Sequence, residues 1–258
     1  MALPLCAQQS DAGESVPCLI KASKQIDVAV EVAGRVEEVS VEPGQTVDKG
    51  DLLVRQSAAP ERAALALAER AAADTSTIEA AEARLDLLNA QESRMSQLIG
   101  KDLVAQNTYD SLLAEQVTAQ EQLQRAREDH IRATLERDRV KAELAQRVIK
   151  APISGLVTEV DIEAGELGDP QVPLLRLAVL DPLLIAAYLP IRLHGTLTPG
   201  RELTVKPEPP VGGTYQARIE VIDKVYDPAS GTFGIRLYMD NPQNTLPAGI
   251  HCTLEVPG

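Results

Sequence analysis

The chain has 258 residues, room for one large domain or two to three small ones, and 44% of them are apolar, as in proteins with buried cores. Its formal net charge of −13 excludes nucleic acid as the natural partner, because phosphate backbones are bound through clustered Lys and Arg. Aromatic residues make up 2%, with no Trp and one Phe, which points to elongated modules packed by Ala, Leu and Val in place of one thick globule.

Residues 1–15 read as a signal remnant or disordered N-terminus, since the apolar stretch around Leu3 to Cys6 is too short and lacks a basic flank. No window offers the roughly 18 uninterrupted apolar residues of a bilayer span. The most apolar stretch, Leu174 to Ile191, is broken by Arg176, Asp181 and two prolines. Val16 to Ser23, within a segment 16–27, is predicted to be a strand that joins a β module further along the chain.

Residues 28–57 and 151–177 contain an internal repeat. Gly34, Val36, Glu38, Val39, Val41, Glu42 and Gly44 match Gly155, Val157, Glu159, Val160, Ile162, Glu163 and Gly165, each at an offset of 121. Each copy alternates apolar and polar residues as a half-buried strand does, places Gly at a turn, and adds a short apolar strand, Asp51–Val54 or Val172–Leu175. Neither copy can bury its apolar face alone, so the two are predicted to close into one flattened sandwich.

Between the copies, residues 58–150 form a block in which positions 61–148 hold no Pro and one Gly, Gly100, and are rich in strong helix formers. One seam with 3-4 spacing runs Ala64, Leu67, Ala71, Asp74, Ile78, Ala81, Leu85, Leu88, Glu92, Met95, Ile99. A second runs Tyr109, Leu112, Gln116, Ala119, Leu123, Ala126, His130, Ala133, Arg137, Val140, Leu144. Pro60 and Glu61 suit a first helical turn, Gly100 a left-handed stop, Asn107 or Thr108 a second N-cap, and Ala151-Pro152 the final end. Two heptad helices forming an antiparallel hairpin, with its tip near 100–107, are expected.

Residues 178–258 alternate as an antiparallel module, with strands at Leu183–Leu189, Glu202–Val205, Ala217–Val225, Thr232–Tyr238 and His251–Val256. Turns are expected at Asp181-Pro182, Pro199-Gly200, Gly212-Gly213, Asp227-Pro228 and Pro247–Gly249. A small closed barrel would remove the exposed edges.

No phosphate-cradling Gly-Lys-Ser/Thr loop or nucleophile elbow is present, and His130, His194, His251 and the three cysteines lack ligand spacing. The sequence therefore implies no enzyme, no cofactor and no metal.

The pieces Val32–Val36, Val41–Leu53, Ile149–Val157 and Asn241–Gly249, in this order around a helical hairpin, resemble the periplasmic adaptors of the HlyD or membrane fusion protein family from about Val16 to Val256. The resemblance implies a mixed α and β, elongated and modular fold: a split lipoyl-like β-sandwich, a long antiparallel coiled-coil hairpin and an antiparallel β-barrel. It implies a periplasmic adaptor of a Gram-negative envelope, linking an inner-membrane transporter to an outer-membrane channel in a tripartite efflux pump, most naturally of RND type, and self-association into a hexameric ring.

In that family the tip resembles Arg-x-x-x-Leu followed seven positions later by Ser. Arg94 and Leu98 match here, while Ala105 stands at the third position and lacks the hydroxyl. These three residues are the candidate channel contact; a solvated Arg and ordinary heptad packing are the plain alternative. Cys18 and Cys252 fall on the first and last strands of the expected barrel, where an oxidising periplasm favours a disulfide over two buried thiols. Other readings are an adaptor of an ABC-type exporter or type I secretion system, or a lipoyl or biotinyl carrier. A carrier needs its modified Lys on the turn between the halves; here Lys49 lies inside the first half.

Overall fold

The computed structural model describes residues 14–99 and 105–257, so Cys6, most of the expected N-terminal remnant and Gly100 lie outside the described residues. The elements in order are β1 (Glu14–Val28), β2 (Gly34–Val39), β3 (Thr46–Val47), β4 (Leu52–Gln56), α1 (Ala59–Ala73), α2 (Ser76–Ile99), α3 (Gln106–Ala145), β5 (Val148–Lys150), β6 (Gly155–Val160), β7 (Leu167–Gly168), β8 (Leu175–Pro190), β9 (Glu202–Pro207), β10 (Tyr215–Ile222), β11 (Thr232–Met239) and β12 (Ile250–Val256). Residues up to Val54 together with those from Ile149 make one compact unit, and Arg55–Val148 make the other.

In the first unit the sequence repeat becomes a pseudo-two-fold sandwich. β3 pairs with β6 through Thr46↔Leu156 and Val47↔Gly155, and β2 pairs with β7 through Arg35↔Leu167 and Gly34↔Gly168. These are the same pairings under the 121-residue offset, so each half lends its short strand to the other. The loop hydrogen bonds repeat as well. The Gly44 N–H donates to the Val157 carbonyl and the Gly165 N–H to the Val36 carbonyl; the Ser40 N–H donates to Leu53 and the Asp161 N–H to Leu174. Gly44 and Gly165 hold φ of +89° and +98°, which only glycine adopts without strain. Inside, Val36, Val47, Leu53, Val157, Leu174 and Leu175 form a dry core drawn from both halves, each such side chain contributing about 1.5–3 kcal/mol by leaving water.

Six strands in the order β1-β12-β9-β10-β11-β8, closed by β1 against β8, form an antiparallel barrel. Alternate residues point inward, as the run Phe233, Ile235, Leu237, Met239 of β11 shows. The expected turn at Asp181-Pro182 does not exist: β8 runs unbroken from Leu175 to Pro190. β1 is also longer than expected, pairing with β8 from Cys18↔Ala187 through to Val28↔Leu175. Two long strands therefore pass from sandwich to barrel. Arg176 stitches them where they meet, bonding Asp27 on β1 at 2.6 Å and Glu159 on β6 at 2.5 Å.

At the sandwich end of the barrel, buried Asn241 organises the loop that carries the family-like run to Gly249. Its Nδ2 donates to the carbonyls of Leu180 and Leu246, its Oδ1 accepts from the Leu246 N–H and the Thr245 hydroxyl, and its own N–H donates to Asp181. That network explains why Asn serves here: a buried amide is tolerated only when its donors and acceptor are used.

The second unit is the helical hairpin. Pairs Arg84–Glu115, Glu82–Arg127 and Glu61–Arg147 run to higher numbers on one arm as they fall on the other, so the arms are antiparallel. The first arm is not one helix. Asp74 turns extended at φ −80°, ψ 112° and ends α1. Its carboxylate accepts from the Ser76 N–H at 3.0 Å, and the Thr75 hydroxyl donates to Glu79 at 2.6 Å, so α2 restarts with its own cap. Asp74-Thr-Ser-Thr77 is a run of side chains that compete for backbone bonds, and it favours helix starts over helix interiors.

The break shifts the register. In α1 the buried positions are Ala68 and Ala72, while the expected seam residues Ala64 and Ala71 are exposed and Leu67 is 73% exposed. After the break, Ile78, Leu85, Leu88 and Met95 return to the seam, and the second seam runs buried or half-buried from Tyr109 to Leu144 along α3. α3 begins at Gln106, with Ala105 at the cap and no side-chain cap bond, so Asn107 and Thr108 lie in its first turn; it ends at Ala145, ahead of the expected Ala151-Pro152.

Candidate functional site

The tip of the hairpin is built on two helices joined by polar pairs, one at facing seam positions and one from the seam to its edge. Glu92 faces α3, where the Tyr109 hydroxyl donates to its Oε1 at 2.8 Å, and the Gln116 amide donates to Asn89. The carboxylate bond pushes the Tyr109 phenol above its ordinary value. Beneath them Leu88, Leu112 and Ala119 form a small dry cluster against Leu85 and Met95.

With Glu92 and Met95 turned inward, Arg94 and Leu98 share the outward face of α2, four residues apart. Arg94 is exposed and Leu98 is 41% exposed, which leaves both free of the seam. Ala105 is exposed at the start of α3. The turn between Ile99 and Ala105 lies outside the described residues, so Arg94 and Leu98 are brought together, and the join to Ala105 is not. The chemistry on offer is one guanidinium and one leucine on a rigid helical surface, suited to recognition.

Elsewhere on the seam, Gln116, His130 and Arg137 are half-buried. Arg137 turns back to Asp138, and the His130 Nδ1 is buried without a hydrogen-bond partner. In the barrel, Cys18 and Cys252 are register partners on β1 and β12, joined as a disulfide with Cα atoms 4.8 Å apart. Lys49 sits on the exposed turn Asp48–Asp51, its N–H donating to the Ser154 hydroxyl at 2.9 Å. Among the described residues no group of His, Cys, Asp and Glu is arranged to hold a metal ion, and no helix is long and apolar enough to cross a membrane.

A sandwich of two interlocked halves whose link has grown into a helical hairpin, followed by a six-stranded barrel, defines a class: the barrel-sandwich hybrids. Residues 24–178, more than half of the chain, match the family described as CzcB-like, barrel-sandwich hybrid domain, and the chain belongs to that family. A curated relative from Acidithiobacillus ferridurans, described as "UPF0194 membrane protein in asrC 5'region", is 25% identical over 91% of this chain and 84% of its own length. Two other curated relatives, from Haemophilus influenzae and Escherichia coli, are spanned over 51% and 53% of their length.

Among solved structures, MacA from Actinobacillus actinomycetemcomitans superposes with a TM-score of 0.81 at 20% identity, over 96% of this chain and 79% of that one. The membrane fusion protein Spr0693 from Streptococcus pneumoniae R6 gives 0.64 at 17% identity, over 94% and 98%. At these identities the likeness is one of fold.

Proposed function

We propose that the protein is a non-enzymatic periplasmic adaptor that links an inner-membrane transporter to an outer-membrane channel in a tripartite efflux pump of RND type, acting as a ring of copies. The observation that carries this reading is the insertion of the hairpin between the halves of one sandwich. A carrier domain uses the turn between its halves to present a modified lysine; here the link between the halves instead holds the helices α1, α2 and α3. The likeness of fold to a membrane fusion protein supports the adaptor part of this reading.

The roles follow from the parts. The sandwich is the rigid mount, the disulfide-tied barrel the docking module, and Arg94 with Leu98 the channel contact. Transport energy comes from the partner transporter. The test is complementation: cells lacking the protein should become sensitive to a pump substrate, the wild-type chain should restore resistance, and Arg94→Ala with Leu98→Asp should fail to do so while remaining folded and exported. Resistance fully restored by that double variant would remove the tip from the function.

A further inference from the structure

The barrel's other end, away from the sandwich, carries an exposed apolar tip. β8 leaves the sandwich at Leu175 and ends at Pro190, so this end gathers the turn Ile191–Leu193 and the loop from Asp223 to Gly231. β10 stops at Ile222, three residues short of the expected Val225, and that shift puts Val225 and Tyr226 in the loop. Val225 is 83% exposed, the most exposed large apolar side chain among the described residues; Tyr226 and Ile191 are each 41% exposed, and Tyr188 on the adjoining barrel wall is 71% exposed.

The loop is held rather than loose. Asp227 accepts from the Ala229 N–H at 2.9 Å and the Ser230 hydroxyl at 2.7 Å, and the Gly231 N–H returns to its carbonyl. Tyr226 packs edge-on against His194, with ring centroids 5.1 Å apart, and His194 packs on Phe233. The Ile191 N–H donates to Gly231, joining the two apolar pieces.

Charge separates this end from the rest of an acidic chain. Glu14 is paired with Arg192 at 2.5 Å and Asp223 with Arg236 at 3.0 Å, and Asp227 is offset by Lys224, so the tip is close to neutral. A neutral, projecting apolar tip with tyrosines at its rim matches the headgroup–acyl boundary of a bilayer, where such rings are at home and apolar tips are buried.

We infer that this barrel end rests on a lipid bilayer, with Val225 and Ile191 dipping below the headgroups and Tyr188 and Tyr226 at the interface. The inference deepens the adaptor reading by naming the surface on which the barrel stands. Because the tip is neutral, insertion should be insensitive to salt and to the fraction of anionic lipid.

The test places an environment-sensitive fluorophore at Val225→Cys, with Val172→Cys on an exposed sandwich loop as control. Both are made in a Cys6→Ser background, which leaves one free thiol beside the Cys18–Cys252 bridge. The full chain is tethered through an N-terminal histidine tag to nickel-chelating vesicles of phosphatidylethanolamine and phosphatidylglycerol, then of phosphatidylcholine. The expected result is a several-fold rise in emission, quenched by brominated acyl chains, at 225 and not at 172, in both compositions. A label at 225 that stays in water on both vesicles overturns the inference and gives the tip to a protein surface; binding only to the anionic vesicles, lost in salt, also overturns it. Neither failure bears on the hairpin tip, which the complementation experiment tests separately.

Discussion

Asn241 and Asp227 show what single polar side chains do in this protein. Asn241 spends its whole amide on Leu180, Thr245 and Leu246, so Asn241→Ala strands buried partners and should destabilise the barrel by about 1–3 kcal/mol, read from denaturant unfolding. Asp227→Leu would keep the bulk and lose the bonds. The Ser230 hydroxyl first, then the Ala229 N–H, hold the Asp227 carboxyl below the usual carboxylate range. A carboxyl lowered in the folded state stabilises above the ordinary carboxylate value and loses that contribution as pH falls through its own. Protection of the Ala229 and Gly231 amides, taken relative to their intrinsic exchange rates, should therefore fall in acid well before the barrel core opens; unchanged protection down to the unfolding pH would contradict the clamp. At this scale the sequence was partly legible: the Asp227-Pro228 turn was readable from its residues, whereas Val225 reads as one more β-branched strand position. Nothing local marks the strand's end at Ile222, because the Asp223 N–H bond to Gly234 is set by the pairing of two strands.

Among the elements, the hairpin shows how a correct pattern can carry a wrong phase. The second seam could be read from Tyr109 to Leu144 because α3 is one uninterrupted helix of 40 residues. The first seam could be read only from Ile78 onward, since a 3-4 pattern in alanine-rich sequence fits more than one register and the break at Asp74 resets it. Ala64, Leu67 and Ala71 were equally apolar candidates to Leu65, Ala68 and Ala72. The signal that could have decided was Asp74-Thr-Ser-Thr77, a helix start placed inside a helix. The distinction is measurable. Leu88→Ala, at a site 1% exposed, should destabilise the hairpin by about 2–5 kcal/mol, while Leu67→Ala, at 73% exposed, should stay within about 0.5 kcal/mol. Comparable losses at the two positions would restore the continuous seam. The Tyr109–Glu92 bond makes a pH statement of the opposite sign to that of Asp227. A raised phenol contributes below the ordinary tyrosine range and loses its contribution as pH rises through the raised value, so Tyr109→Phe should abolish that alkaline loosening of the hairpin near its tip.

For the molecule as a whole, the split repeat was the most legible feature, because an offset of 121 residues preserves strand, turn and glycine positions together. What the sequence could not show is that β1 and β8 continue through both modules, since Asp181-Pro182 has the composition of a turn and lies in a strand. The Cys18–Cys252 bridge closes a loop of 234 residues across β1 and β12, and replacing both cysteines by serine should lower barrel stability by about 2–5 kcal/mol in the oxidised protein, with no change under reductant. An equal stability of wild type and double variant in both conditions would deprive the bridge of a structural role.

If the hairpin is an arm that reaches a channel, photo-crosslinking in living cells captures the contact. A photoreactive residue at exposed Leu98 is compared with one at Leu135, exposed on α3 well back from the tip. Crosslinks are expected from Leu98 to an outer-membrane channel and not from Leu135, and the captured partners would identify the transport machine. Absence of any envelope crosslink from Leu98, in a protein shown to be folded and exported, would contradict that contact and leave the hairpin a structural insertion.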